Sequence, residues 1–314
     1  MKNYTFDFYN SASLKAYNLT DTMKFQLSIL DRMEPFTKKH SENVANLVCR
    51  ICEYLHYNSH MVIHSTMCGY LHDVGKLMIP PEILNKPAKL TDEEYEIMKT
   101  HTTIGYNICM KNPELRPYAD AALYHHEALN GTGYPRGVTK KDIPYIGQIV
   151  RVADEYDALV SKRQYKTHIS ISETLKILIK ESQPEEHAKA VALDNLRTSE
   201  KLGKINARIL RVLFKVVLDD IYYEIDSIEN YIKYLKQEIK RLETANNYFN
   251  KMNKQSKEKD RNYFLEGIKM LLSQDETVEN FQNILDEYRT ALKNKEVAID
   301  KLRNEIRIIK KLKV

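Results

Sequence analysis

No apolar stretch in the 314 residues approaches the roughly 18 that a membrane-crossing helix needs. The opening MKNYTFDFYNSAS lacks the apolar segment of a secretory leader, so a cytoplasmic protein is the expectation. The excess of one sign of charge is also small. The net charge is +5, too small and too dispersed to argue for nucleic acid, though compatible with an anionic small molecule. Cysteine is limited to Cys49, Cys52, Cys68 and Cys109. Cys49 and Cys52 form a C-x-x-C, but no second pair completes a zinc set. The helical spacing around them reads as buried thiols. No segment alternates apolar and polar residues convincingly, which leaves almost no sheet. Helix breakers are rare in the last third: Pro184 is the final proline, and only Gly203 and Gly267 follow it, as long helices require.

What is present reads as an all-α chain. Apolar residues make up 43% and charged residues 29%, a globular composition with room for more than one domain. Seven of the nine glycines lie between Gly69 and Gly147, so the first part is short helices joined by loops. Helices are predicted over TDTMKFQLSILDRM, SENVANLVCRICEYL and MVIHSTMCGYLHDVG, the last nearly all apolar before His72 and therefore buried. The three prolines of PPEILNKPAKL predict a loop. TDEEYEIMKTHTTIGYNICM restarts a helix, with Thr91 as N-cap and Glu94 completing a capping box. YADAALYHHEAL and YIGQIVRVADEYDALV follow as helices. GKIN reads as a stop followed by a new N-cap, Asn206.

Beyond it, Ile225, Ile228, Ile232, Leu235, Ile239 and Leu242 are spaced by three and four, a heptad seam. The polar NKMNKQSKEKDRN interrupts it, a short helix around FLEGIKMLL comes next, and the pattern then returns at Val278, Phe281, Leu285, Tyr288, Leu292, Ile299, Leu302, Ile306 and Ile309. Each stretch is about 50 Å long if helical. An antiparallel hairpin, a dimeric coiled coil, or two helices packed on the globular part would each bury these seams. The organisation expected is an N-terminal extension over residues 1–19, a globular helical domain over 20–218 and a heptad-patterned helical region, coiled coil or hairpin, over 219–314.

Of ten histidines, His40, His72, His101, His125, His126 and, less clearly, His56 fall at helix ends or beside acids. His72 is followed by Asp73 at the end of an apolar helix. Burying such an ionisable pair costs several kcal/mol unless something compensates it, and a divalent metal does so. Adjacent ligands let one metal take the imidazole while the carboxylate bridges to a second.

HDVGK (72–76), IPPEIL (79–84), HTTIG (101–105), HHEALNGTGYPRG (125–137) and VADEYDALVSKRQYK (152–166) occur in that order. Together with His40 they resemble the HD-GYP subfamily of HD metal phosphohydrolases, over about residues 20–215. The resemblance implies an all-helical cyclic di-GMP phosphodiesterase that uses iron or manganese. Carried over, His40, His72, Asp73 and Asp154 hold one metal, and Asp73, His101, His125 and His126 hold the other, with Asp73 bridging. Phe36 stands where some relatives carry a glutamate ligand for a third metal, so two metals are expected. The mixed ligands suit Fe, Mn or Zn by softness; preference for iron or manganese rests on the resemblance.

Two cations about 3.5–4 Å apart lower the pKa of a shared water, whose hydroxide attacks phosphorus in line with the leaving oxygen. Lys76 lies on the ligand side if the helix persists through Gly75, and it matches the family lysine that contacts phosphate or assists the leaving group. In the loop, Gly131 and Gly133 are expected to take positive φ and Pro135 to lock the exit, so that Tyr134 projects over the site. Glu127 is expected to orient a ligand imidazole. The resemblance places Asp157 and Arg163 against this loop, and Arg163 and Lys166 on substrate phosphates or bases. Gln148 departs from the arginine common in relatives. The expected activity is hydrolysis of cyclic di-GMP to linear pGpG, and on to GMP in one variant of that reading. The alternatives are another cyclic dinucleotide, a nucleotide monoester, or a ligand-sensing scaffold. The tail is expected to set homodimerisation or to receive a partner's signal.

Overall fold

The computed structural model describes residues 26–161, 169–184 and 202–314. The described residues form helices with no strand; one isolated bridge joins Asn130 to Thr139. Backbone packing divides the chain into two compact units, Met1–Val217 with Lys311–Val314, and Leu218–Lys310. The expected extension over residues 1–19 lies outside the described residues.

In the first unit, helix α1 spans Pro35–Tyr54. It starts earlier than its apolar pattern because Pro35 suits the first helical position and the Glu34 carboxylate accepts a hydrogen bond from the Thr37 amide at 2.9 Å. The upstream stretch expected to be helical ends, in its described part, as a 3-10 turn over Ser28–Arg32. Helix α1 buries Val44, Ala45, Val48, Ile51 and Cys52 against helix α2, Ser59–Leu71, whose N-cap is Asn58. Gly69 makes this approach possible: a Cβ there would lie 2.7 Å from the Ala45 Cα. All four cysteines are buried and unpaired as disulfides, and burial raises their pKa values.

Helix α2 stops at Leu71, and a 3-10 turn follows over Val74–Met78. The proline-rich segment is not all loop, since Pro81–Leu84 forms one helical turn, α3. Helix α4, Asp92–Lys99, carries the expected capping box, with both reciprocal bonds between Thr91 and Glu94. The single helix predicted here is broken at Thr100, and α5 runs separately from His101 to Lys111. The break fits Gly75, whose added Cβ would meet the His101 carbonyl oxygen at 1.9 Å. The turn after Asp73 thus packs directly on the start of α5. Helices α6 (Ala119–Tyr124) and α7 (Tyr145–Val160) complete the surroundings of the site, and α8 (Ile171–Ser182) packs on α7. Helix α9, Ala207–Met252, begins after Asn206, whose side chain accepts from the Arg208 and Ile209 amides as expected of a cap.

The second unit holds most of α9, then α10 (Glu258–Lys269) and α11 (Phe281–Ile309). Ile232, Leu235, Ile239 and Leu242 are buried with Phe281, Leu285, Ile299, Ile306 and Ile309. The cross-helix ion pairs run Arg289–Glu243, Lys236–Glu296 and Arg303–Glu229. One set of numbers falls as the other rises, so the two seams close on each other as an antiparallel hairpin within one chain. Arg241, bonded to Glu238 and Glu276, fastens its closed end.

Candidate metal centre

The seven side chains expected to hold metal come from α1, the end of α2, the start of α5, the end of α6 and the middle of α7. The structure brings all seven together. His40, His72 and Asp73 each place a donor atom within 4.8 Å of the others, and His101, His125 and His126 do the same. Asp73 lies between the two groups. Its Oδ2 is 3.3 Å from His72 Nε2 and 3.7 Å from His40 Nε2, while its Oδ1 is 3.4 Å from His101 Nε2 and 3.7 Å from His125 Nε2. Asp154 Oδ1 is 2.9 Å from His40 Nε2, and its Oδ2 is 3.9 Å from His126 Nδ1.

The hydrogen bonds around the cage tell which atoms are free to ligate. His72 Nδ1 faces the Gly69 carbonyl at 2.7 Å, His101 Nδ1 the Met98 carbonyl at 2.6 Å, and His125 Nδ1 the Ala121 and Ala122 carbonyls at 3.0 Å. A carbonyl only accepts, so each Nδ1 carries the proton and each Nε2 keeps its lone pair. Those lone pairs point inward at one another and at Asp73; the Nε2 atoms of His101 and His125 are 3.2 Å apart. His72 Nε2 and Asp73 Oδ1 are buried without a hydrogen-bond partner. Converging lone pairs and a stranded carboxylate oxygen in a water-poor interior are unfavourable unless a cation sits among them. The donor set fits divalent metal.

The same crowding sets the ionisation. Burial lowers the His101 pKa to about 4 and holds His125 and His126 well below the ordinary imidazole value. Burial opposes charge on Asp73, but Lys76 and His72 outweigh it and hold the carboxyl well below the usual range. His40 behaves oppositely. Burial lowers its pKa, yet the Asp154 and Asp157 carboxylates bonded to its two nitrogens raise it to about 9.

Several sequence readings need correction. Lys76 does reach the site, with Nζ 2.5 Å from Asp73 Oδ2, but through the 3-10 turn and not through a continued α-helix. Gly131 has φ of +81° as expected, whereas Gly133 does not take positive φ; Gly137 does, at +63°. Gly133 is required by close approach, since a Cβ would lie 2.2 Å from the Ala128 nitrogen and 2.4 Å from the His126 carbonyl oxygen. Tyr134 stands at the site mouth as expected, its ring stacked on His126 with centroids 4.7 Å apart. Pro135 follows it through a cis peptide bond. Glu127 touches no imidazole among its hydrogen-bond partners. Its buried carboxylate accepts from the Arg136 amide at 2.6 Å and the Val138 amide at 3.0 Å, clasping the two ends of the loop. Asp157 bonds His40 Nδ1 at 2.7 Å and Asn43 Nδ2 at 3.0 Å, so it orients a histidine and not the loop. Asn43 was missed, although it stands one turn beyond His40 on the same helix. Gln148 donates to the Ile143 carbonyl and accepts from Asn206. Phe36 offers no donor atom and is 39% exposed. Arg163 and Lys166 lie outside the described residues.

Residues 24–186 match the HD domain family. A cyclic di-GMP phosphodiesterase of Thermotoga maritima is 43% identical over 156 residues, 48% of this chain and 42% of that protein. One from Pseudomonas aeruginosa is 33% identical over 148 residues, covering 47% of this chain and 36% of its own length. A 3'3'-cGAMP-specific phosphodiesterase of Vibrio cholerae is 36% identical over 150 residues, covering 48% and 33%. The chain thus spans less than half the length of these relatives.

Proposed function

The chain belongs to the HD domain family, and from that premise and the His–Asp cage we propose that it is an HD-GYP phosphodiesterase hydrolysing cyclic di-GMP to linear pGpG. The observation that carries this is Asp73, with one carboxylate oxygen toward His40 and His72 and the other toward His101 and His125. We assign His40, His72, Asp73 and Asp154 to one metal and Asp73, His101, His125 and His126 to the other, with iron or manganese as the metals. When bound, such a pair supplies Lewis acidity toward phosphoryl oxygen and acidifies water.

The chain's own residues do the rest. The Gly69, Met98, Ala121 and Ala122 carbonyls fix three imidazoles in the ligating tautomer. Asp157 orients His40 by its Nδ1. Lys76, bonded to Asp73, brings an ammonium to where a phosphate approaches and can neutralise or protonate the leaving oxygen. Tyr134 offers its ring to a base.

A second substrate, another cyclic dinucleotide, is favoured by the similarity to the 3'3'-cGAMP-specific relative. Product chromatography on full-length protein loaded with Mn or Fe, against metal-free protein, separates the readings. Linear pGpG formed only by the loaded protein supports the first; cleavage of 3'3'-cGAMP alone supports the second; cleavage of neither dinucleotide overturns the reading as a cyclic-dinucleotide phosphodiesterase. The helical hairpin closes its own seams, so a homodimer or signalling partner would meet side chains left exposed on it, among them Tyr222, Tyr223, Tyr231 and Tyr234. Light scattering tests this: a monomeric wild type, or a dimer that changing these tyrosines leaves intact, contradicts homodimerisation through them. No described helix is long and apolar enough to cross a membrane.

A further inference from the structure

Helix α4 buries none of its residues, so it adds little to the core. It is nevertheless fixed in place. The Thr91–Glu94 capping box sets its start, and Lys86 bonds both oxygens of Glu94, at 2.7 and 2.6 Å. A segment held without burial matters for what it presents. Helix α4 presents Tyr95, 46% exposed, and one turn later on the same face Lys99. The Lys99 ammonium lies 5.0 Å from the Tyr95 ring centroid and 5.7 Å from that of Tyr134. The two rings meet edge to face at 6.5 Å. Tyr134 in turn stacks on His126 and stands 6.5 Å from His101. A continuous wall of histidine, tyrosine, ammonium and tyrosine therefore leads outward from the cage.

A cyclic dinucleotide has two phosphodiesters and two bases, and Lys76 and the cage engage only the diester being cut. We propose that Tyr95 and Lys99 form the subsite for the second nucleotide, Lys99 binding the phosphate that is not cleaved and Tyr95 packing on the adjoining base. This rests on the cyclic-dinucleotide reading above. The two ring faces aim the ammonium. Its partner is Glu96, whose side chain is 69% exposed, and an exposed ion pair of this kind is weak enough to give way to a phosphate. Stacking on an exposed aromatic ring tolerates any base, so the subsite recognises the dinucleotide framework and leaves base identity to other contacts.

The test is steady-state kinetics on the Mn-loaded full chain with two substrates: cyclic di-GMP, and bis(p-nitrophenyl) phosphate, which has no second phosphate. Lys99→Ala and Tyr95→Ala each raise KM for cyclic di-GMP roughly tenfold, with kcat within about twofold. Cleavage of the small diester, the metal content and the thermal midpoint stay as in wild type. Lys99→Arg restores most of the affinity. An unchanged KM in both alanine variants, with wild type cleaving cyclic di-GMP, removes the subsite and leaves the phosphodiesterase reading standing. Equal losses on both substrates also overturn it, because they show an effect transmitted through His101. A wild type that cleaves the small diester but no cyclic dinucleotide defeats the underlying reading, and the subsite with it.

Discussion

Replacing Glu127 by glutamine separates two roles for the acid that follows the paired histidines. The carboxylate is 1% exposed and accepts from the Arg136 amide at 2.6 Å and the Val138 amide at 3.0 Å. Glutamine has nearly the same shape but only one acceptor oxygen, and its NH2 must face the other amide. One charge-assisted bond is lost, one loses its charge, and a buried donor is stranded. Together these cost about 2–4 kcal/mol. Other loop bonds, from the Tyr134 amide to His126 and from the Gly131 amide to Ala128, remain, so the damage centres on residues 135–138. Urea unfolding should show the loss, and hydrogen exchange should speed up at the Arg136 and Val138 amides. Metal content should not change, because no ligand imidazole bonds to Glu127. An acid that oriented an imidazole would instead cost 10- to 100-fold in metal affinity. Glu127→Gln protein with wild-type stability and weakened metal binding would refute the loop-clasp reasoning.

Three further outcomes follow from particular positions. Because the Asp154 and Asp157 carboxylates raise His40 to about 9 in the metal-free chain, its contribution to stability is fully present below pH 6.5 and lost as pH rises through 9; Asp157→Asn should flatten that slope in denaturant titrations, and an unaltered slope would contradict the pairing. Gly133→Ala drives a methyl into the backbone of residues 126–128, so turnover should fall about tenfold or more and stability by about 1–3 kcal/mol; wild-type kinetics would show that the loop has slack. His56 ends α1 at φ of +60°, with the Tyr57 amide bonded to the Cys52 carbonyl and the His56 amide to that of Glu53. This left-handed cap favours glycine, so His56→Gly should stabilise the chain by about 0.5–1 kcal/mol in chemical denaturation, and a loss would show that the imidazole has a role.

Local chemistry made much of the fold legible. Thr91 and Glu94 cap α4, Asn206 caps α9, and the three-and-four spacing from Ile225 onward marks the side on which the hairpin closes. The candidate ligand residues could be read because five motifs stand in the order of a family they resemble; residue chemistry alone reached only His72 and Asp73, an ionisable pair ending an apolar helix. What stayed hidden was set by backbone meeting backbone. The break at Thr100 goes with the approach of Gly75 to the His101 carbonyl, and the role of Gly133 depends on the main chain of residues 126–128; neither partner lies nearby in a helical or turn pattern. Glu127 and Asp157 were recognised as useful acids but given the wrong partners, since Arg136, Val138 and His40 meet them only through loop closure and helix packing. The heptads alone also fit pairing between chains; in the structure the ion pairs from Glu229 to Arg303 run antiparallel within one chain.

The central claim is that Asp73 joins two metal sites. Its most direct test is the metal-to-chain ratio, by elemental analysis, of Fe- or Mn-loaded full-length protein and its Asp73→Ala variant. The account predicts two metals per wild-type chain and loss of both in the variant. A wild-type chain that binds none, or a variant that keeps both, would contradict it.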